Sequence, residues 1–434
     1  MIEMKKSDVE WIGEIPDDWD IYRNKNAFIC NKEIVGKNSN STQLLSLTTG
    51  GIKCKDINNA EGKLPESFDT YQYVKKNDVV MCLFDLDMSA VFSGISQYDG
   101  MISPAYKVLS CQDRANPLFI HYWFSYIFDG RKFNHYAKNI RYTLNYNEFA
   151  TLPILLPPKS TQQRIATYLD KKCSKIEETI QNQQQVIEKL KAYKQSLITE
   201  AVTGKIKIEN GKVCGEYESY KESGVEWIGN IPSGWEVKKL KYIADTFLKG
   251  SGITKEEIVI NGDTPCVRYG ELYTKYDYHF TECQTRTNLG IIETPKYFSH
   301  GDVLFTCTGE LVEEIGKSIA YLGNEKCLAG GDIIVLKHSQ DPMFMGFALD
   351  SKYVQGQKSF GKTKLKVVHI SSGEIARLLI VLPPKEEQKE IADYLDKKCT
   401  AIDTAIEQKQ NLIEKLTEYK KSLIYECVTG KKVI

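Results

Sequence analysis

Eight residues in the second half of the chain carry its sharpest chemical pattern. Gly356-Gln-Lys-Ser-Phe-Gly-Lys-Thr363 matches the GxxxxGK[ST] loop that wraps nucleotide phosphates, with Lys362 as the phosphate lysine. Such a loop needs a buried strand before it and a helix after it, because the helix N-terminus meets the phosphates. Here Phe344–Tyr353 reads as helix, and Lys364-Leu-Lys-Val-Val-His-Ile370 alternates as a strand does. A glycine-rich basic loop on a nucleic-acid backbone explains the same residues; a nucleotide-binding enzyme using Lys362 is the rival reading. The sequence shows no Asn/Asp-Pro-Pro-aromatic motif of amino-methyltransferases and no glycine-rich cofactor loop, and its six histidines lack HxxxH spacing. No catalytic or metal-ligating residue is assigned. Twelve cysteines stand singly, without CxxC, and read as small buried apolar residues in a reducing compartment.

A second chemistry is offered by basic and aromatic stretches. Lys and Arg neutralise phosphates, while Asn, Gln and Arg read base edges. Arg131–Tyr146 is the densest such stretch of the first half, with Lys138, Asn139, Arg141, Tyr142 and Asn145 as candidates. Its counterpart is Ser351–Lys364, with Lys352, Gln357, Lys358, Lys362 and Lys364. Weaker candidates are Lys53 in the first half and Lys249, Arg268 and Tyr269 in the second. The competing reading of each is a solvated helix or loop. Lys plus Arg equals Asp plus Glu at 57 each, so no global charge draws the chain to a polyanion; contacts must be local or shared with a partner.

These stretches sit in a chain written twice. Val9-Glu-Trp-Ile-Gly-Glu-Ile-Pro-Asp-Asp-Trp19 returns as Val225-Glu-Trp-Ile-Gly-Asn-Ile-Pro-Ser-Gly-Trp235, and Pro157–Lys205 returns as Pro383–Lys431. Between these blocks lie unlike segments, about 20–156 and 236–382. They share a faint frame: Asp78-Val-Val and Asp302-Val-Leu each open an apolar run. Two copies of a surface that stay alike imply one kind of partner contacted twice; copies that diverge imply two different readings. Trp11, Trp19, Trp227 and Trp235 read either as partner anchors or as local core.

The long blocks predict helices. Residues 160–202 and 385–428 contain no Gly or Pro and are rich in Lys, Glu, Gln, Leu and Ile. Pro157-Pro158 and Pro383-Pro384 lie just ahead, Ser160 or Thr161 can cap the first start, and Gly204 and Gly430 lie past the ends. The apolar positions keep a heptad. In the first helix it runs through Leu169, Ile176, Ile180, Ile187, Leu190 and Leu197. In the second it runs through Leu395, Ile402, Ile406, Ile413, Leu416 and Leu423. That argues for a coiled coil, and against a single amphipathic helix lying on a globular core. Gln183 and Lys409 interrupt the seams near their middles; in an antiparallel pair they are expected to meet and fix register. Lys194 and Lys420 interrupt near the ends, with stems on the seam and charges reaching water.

Trp11-Ile-Gly-x-Ile-Pro-x-x-Trp19, its copy Trp227–Trp235, and the paired Pro157-Pro-Lys-Ser-Thr-Gln162 and Pro383-Pro-Lys-Glu-Glu-Gln388 resemble the specificity subunits of Type I restriction-modification enzymes. The resemblance covers the whole chain in the right order. It implies an α/β chain in which two globular target-recognition domains alternate with two long helices paired as an antiparallel coiled coil, an internal pseudo-two-fold repeat. The expected domains are 1–156, 157–205, 206–382 and 383–434. It implies double-stranded DNA with a bipartite site, two methyltransferase subunits and restriction/translocase subunits as partners, and a non-catalytic role for this chain. S-adenosylmethionine and ATP then belong to those partners, and this chain binds no cofactor. The polar Met1–Glu10 gives no signal-peptide core and no apolar run spans a bilayer, so the expected location is the cytoplasm. A protein-only coiled-coil adaptor is the remaining alternative.

Overall fold

The computed structural model describes residues 3–56, 65–137, 142–363 and 367–434. By contacts the chain divides into two compact units, Met1–Gln184 with Gln410–Ile434, and Gln185–Lys409. Each unit takes half of each of two 44-residue helices, Lys159–Val202 and Lys385–Val428.

In the first unit a four-stranded antiparallel sheet runs in the order Phe28–Asn31, Lys107–Cys111, Val79–Met81, Ser93–Ile95. Its inner strand Val79–Met81 is covered on both faces and is apolar and buried throughout. Val79, Met81 and Leu109 join an aromatic core with Phe119, Trp123, Phe124 and Phe149. Val80 and Val108 face Leu45, Leu47 and Ile52 of the hairpin formed by Leu45–Thr48 and Gly51–Cys54. The covering helix, Pro117–Asp129, starts with Pro in its first turn, and the Asn116 side chain accepts hydrogen bonds from the Leu118 and Phe119 N–H groups.

The second unit repeats that strand order in a five-stranded sheet: Ala244–Lys249, Ile333–His338, Val303–Thr306, Ser318–Tyr321 and His279–Phe280. A further four-stranded sheet runs in the order Thr285–Thr287, Thr264–Val267, Cys327–Ala329, Tyr297–Phe298. Asp78 and Asp302 hold the same turn. Asp78 accepts from Lys75 N at 2.8 Å and Ser110 Oγ at 2.5 Å. Asp302 accepts from Ser299 N at 2.8 Å and Lys337 Nζ at 3.2 Å.

The strands that adjoin the repeated blocks pair in the same register in both units. Asp20–Arg23 pairs antiparallel with Pro153–Leu156, placing Asp20 opposite Leu156; Glu236–Lys239 pairs with Leu379–Leu382, placing Glu236 opposite Leu382. The motif glutamines then clip each long helix to its unit. Gln162 donates to Arg114 O and Pro157 O and accepts from Asn116 N, all at 2.8 Å. Gln388 donates to Pro383 O and Gln340 Oε1 at 2.9 Å and accepts from Asp341 N at 3.0 Å. Asn116 and Asp341 are the N-caps of the covering helices. A methionine at either Gln would deprive three buried or part-buried polar groups of this partner, which explains the type in chemical terms.

The helix stops are seated as tightly. Gly204 and Gly430 both have φ +74. A Cβ on Gly204 would lie 2.3 Å from Pro232 Cδ and 3.0 Å from the Trp235 ring; one on Gly430 would lie 2.4 Å from Pro16 Cδ and 3.3 Å from the Trp19 ring. Trp19 and Trp235 are therefore buried seats for the helix ends rather than surface anchors. At the helix start, Pro158 precedes the first turn and its carbonyl accepts from Thr161 N, so Ser160 and Thr161 lie inside the helix instead of capping it.

The helices pair antiparallel within each unit. In the first, Leu169, Cys173 and Ile176 share a core with Leu423, Ile424, Cys427 and Val428, and Lys420 Nζ lies 2.6 Å from Glu177 Oε1. In the second, Ile187, Leu197, Leu395, Cys399, Ile402 and Ile406 are buried, and Lys194 Nζ lies 2.7 Å from both carboxylate oxygens of Asp403. Leu190, Ile413, Gln183 and Lys409 are half-buried. Gln183 belongs to the first unit and Lys409 to the second. The charges of Lys194 and Lys420 do not run out to water as the seam pattern suggested: each meets an acid of the facing helix.

Candidate nucleic-acid interface

The two units carry unlike polar faces. In the second, three of the candidates come together. Lys249, Arg268 and Tyr269 line one cleft of about 830 Å³, with Gly250, Gly252, Gly270, Gly330, Gly331, Glu257, Lys275 and Asp332. Glycine builds its floor. Ser251 and Gly330 form a lone parallel bridge, and a Cβ on Gly250 would lie 2.0 Å from Gly330 O, so only a residue without a side chain lets the two segments touch. Arg268 rests its stem on this floor: a Cβ at Gly330 would lie 3.6 Å from Arg268 Cγ. Lys249 and Tyr269 are exposed and Arg268 is half-buried. Glu271 is buried and fully engaged, by Lys275 Nζ at 2.7 Å, Arg268 N at 2.9 Å and Thr285 Oγ1 at 2.9 Å.

The stretch 351–364 is spent largely on the fold. Its residues 352–359 form a helix. Lys352 is exposed in its first turn. Gln357 clamps the strand before the long helix, donating to Leu379 O at 2.9 Å and accepting from Leu379 N at 2.8 Å. Lys358 is buried, 1 % exposed, with its ammonium on Gly316 O at 2.6 Å and Ser318 Oγ at 3.0 Å; burial holds it down to about 8. Lys362 binds His369 O at 2.6 Å and Glu374 Oε1 at 2.7 Å, and this bond is the main reason the Glu374 carboxyl is held at about 2. Gln357 and Lys358 thus face inward and leave the surface set, and Lys362 is occupied. Lys364 lies outside the described residues. The match at Gly356–Thr363 does not fold as a phosphate loop either: Gly356 lies inside a helix, and Lys362 is neutralised by its own neighbour. That removes the structural basis for a nucleotide site there.

In the first unit Lys138, Asn139 and Arg141 lie outside the described residues. Tyr142 is exposed with φ +44, and its carbonyl accepts from Leu86 N. Asn145 caps the helix Tyr146–Thr151: its side-chain oxygen accepts from Glu148 N at 3.0 Å, and Glu148 accepts from Asn145 N at 2.9 Å. Lys53 is exposed on the hairpin and folds over its turn, where a Cβ on Gly50 would lie 3.3 Å from Lys53 Cε. Of the four tryptophans only Trp227 is strongly exposed, at 61 %; Trp11 packs on Trp123 at 6.0 Å and donates to Tyr136 Oη at 3.1 Å. The glycines of the cleft floor were missed by sequence reasoning. The glycine clusters Lys249-Gly-Ser-Gly252 and Gly330-Gly331 were the available signal.

A second feature is repeated. Asp170, Cys173, Ser174 and Glu177 line a groove in the first unit, and Asp396, Cys399, Thr400 and Asp403, at the same places in the repeat, line one in the second. Among the described residues no His, Cys, Asp or Glu cluster suits a metal ion, and no helix is long and apolar enough to cross a membrane.

One fold is used twice, and its two copies carry unlike polar faces. Residues 232–416 match the family model described as the Type I restriction modification DNA specificity domain. Over 443 residues the chain is 22% identical to the putative type I restriction enzyme MjaX specificity subunit of Methanocaldococcus jannaschii, covering 97% of this chain and 95% of that one. The MjaVIII specificity subunit of the same organism is 25% identical over 65% of this chain and 63% of its own. A chain from a structure describing complex assembly and conformational transition of the type I R-M system superposes with a TM-score of 0.66 at 15% identity, covering 95% of this chain and 98% of that chain. An HsdS subunit from Thermoanaerobacter tengcongensis gives 0.50 at 17%, over 96% and 98%. Residues 232–416 thus carry the features of a Type I restriction modification DNA specificity domain, and over its whole length the chain is similar to Type I specificity subunits.

Proposed function

We propose that each unit reads one half of an interrupted duplex target and that the helix pair sets the distance between the halves. The globular parts 1–156 and 206–382 supply the reading heads, and the segments 157–205 and 383–434 supply the spacer. A 44-residue helix is about 66 Å long at about 1.5 Å per residue, against about 34–36 Å for one turn of DNA. The chain performs no chemistry. Partner methyltransferases methylate adenine at N6, restriction subunits cut, and all work in the cytoplasm. The reading is carried by one observation: the same sheet order and the same block register hold two unlike faces, with Lys249, Arg268 and Tyr269 gathered in the second. The paired grooves at Asp170–Glu177 and Asp396–Asp403 support two copies of one partner, since like surfaces serve like contacts.

The test replaces residues 20–156 by the equivalent segment of a relative and maps modified adenines in cells that also carry the methyltransferase. One half of the methylated sequence should change and the other half and the spacing should stay. A target that changes in both halves, or in neither, overturns the two-head reading.

A further inference from the structure

Among the described residues, Arg268 is a half-buried candidate cation whose head group the protein leaves unanswered. Its Nε is buried with no acceptor, and among the described residues no carboxylate or carbonyl binds its guanidinium. The natural acid, Glu271, is already saturated by Lys275, Thr285 and the Arg268 backbone N–H. Buried polar groups without partners are rare, and a charged one is costly to desolvate unless a ligand completes it. The stem is held on the Gly330 floor, so the fork is positioned in advance rather than free to search for water. The cleft around it is open on the side of Gly252 and Gly270, where a Cβ would meet nothing within 4 Å, and exposed Lys249 and Tyr269 flank it.

We infer that Arg268 is the base-reading residue of the second head and takes the O6/N7 edge of one guanine in the major groove. This deepens the proposed function and rests on it. A planar five-donor fork matches two acceptors side by side, which guanine alone offers on its major-groove edge. Lys249 has a single ammonium and an exposed position, which suits the adjoining phosphate. The same fork could instead take a phosphate, and the two sources leave different traces: a base contact is felt at one base pair, a phosphate contact at every sequence alike.

The experiment maps modified adenines in cells carrying the methyltransferase with the wild-type chain, Arg268→Ala or Arg268→Lys. With the wild type, a bipartite site verifies the two-head reading by itself. Both variants should then accept other base pairs at one G·C position of the second half-target, with discrimination there falling about 5- to 150-fold. The first half-target and the spacer should not change. Unchanged specificity at every position, with or without a uniform drop in methylation, overturns the assignment. Where Arg268→Ala abolishes methylation outright, binding of the purified complex to duplexes bearing each base pair at that position decides between the same outcomes.

Discussion

At the residue scale the clearest lesson is Lys358. Its charge sits in the core near Asp350, whose carboxyl burial pushes upward. The folded chain holds the Lys358 proton only to about 8, against 10.5 for the ordinary amine. Between those pH values the unfolded chain binds more protons than the folded one, so this group makes stability rise with pH across that window. Lys358→Met should flatten the rise of the thermal midpoint between pH 8 and 10. At pH 7 it should also lower the midpoint, because Gly316 O and Ser318 Oγ lose their donor, at about 1–3 kcal/mol per buried group left unpaired. A variant that keeps the wild-type slope shows that another group titrates there. The sequence could not reveal this. Ser351–Lys364 is basic, and composition gives a residue's type without its burial. Of its members Gln357, Lys358 and Lys362 are taken by partners in the fold, whereas the Nε of Arg268, isolated in sequence, is left without an acceptor.

At the element scale the heptads read straight from the sequence, because spacing along one helix fixes which face is apolar. What the spacing could not show is what stands opposite. Lys194 and Asp403 in one unit, and Lys420 and Glu177 in the other, are the same pair carried through the repeat with the helices exchanged. A sliding of one helix by a turn would break both bridges, so they act on register more than on stability. Each is partly exposed, so the attraction is worth about 1 kcal/mol or less. Reversing one charge puts two acids together on a largely apolar seam. Lys194→Glu is expected to destabilise the chain by about 1–2 kcal/mol in urea unfolding, and adding Asp403→Lys should return most of it. Equal loss in the single and double variants would show that the pair contributes packing and no register. The helix stops and the Pro-Pro starts were legible for a similar local reason. The Trp seats at Gly204 and Gly430 were not, because the contacting partners lie about 30 and 410 residues away in the chain.

For the whole molecule, duplication was plain because 216 and 226 residues separate blocks that share most of their residues, and the shared strand order follows it faithfully. The faces were opaque because they are where the copies differ. Charge sets how the whole must work. With 57 basic and 57 acidic residues the chain has no net field to collect counterions around DNA. Non-specific attraction grows with the number of phosphates neutralised, and a cleft in which Lys249 is the phosphate candidate neutralises few. The chain alone should therefore bind its target weakly and with a shallow salt dependence. With the methyltransferase present, affinity should rise by orders of magnitude and the salt slope should steepen, since the partner supplies the missing phosphate contacts. Titrating labelled duplex with and without the partner, at two salt concentrations, measures both. Nanomolar, sequence-specific binding by the chain alone at physiological salt would place the phosphate contacts on this chain and refute the division of labour.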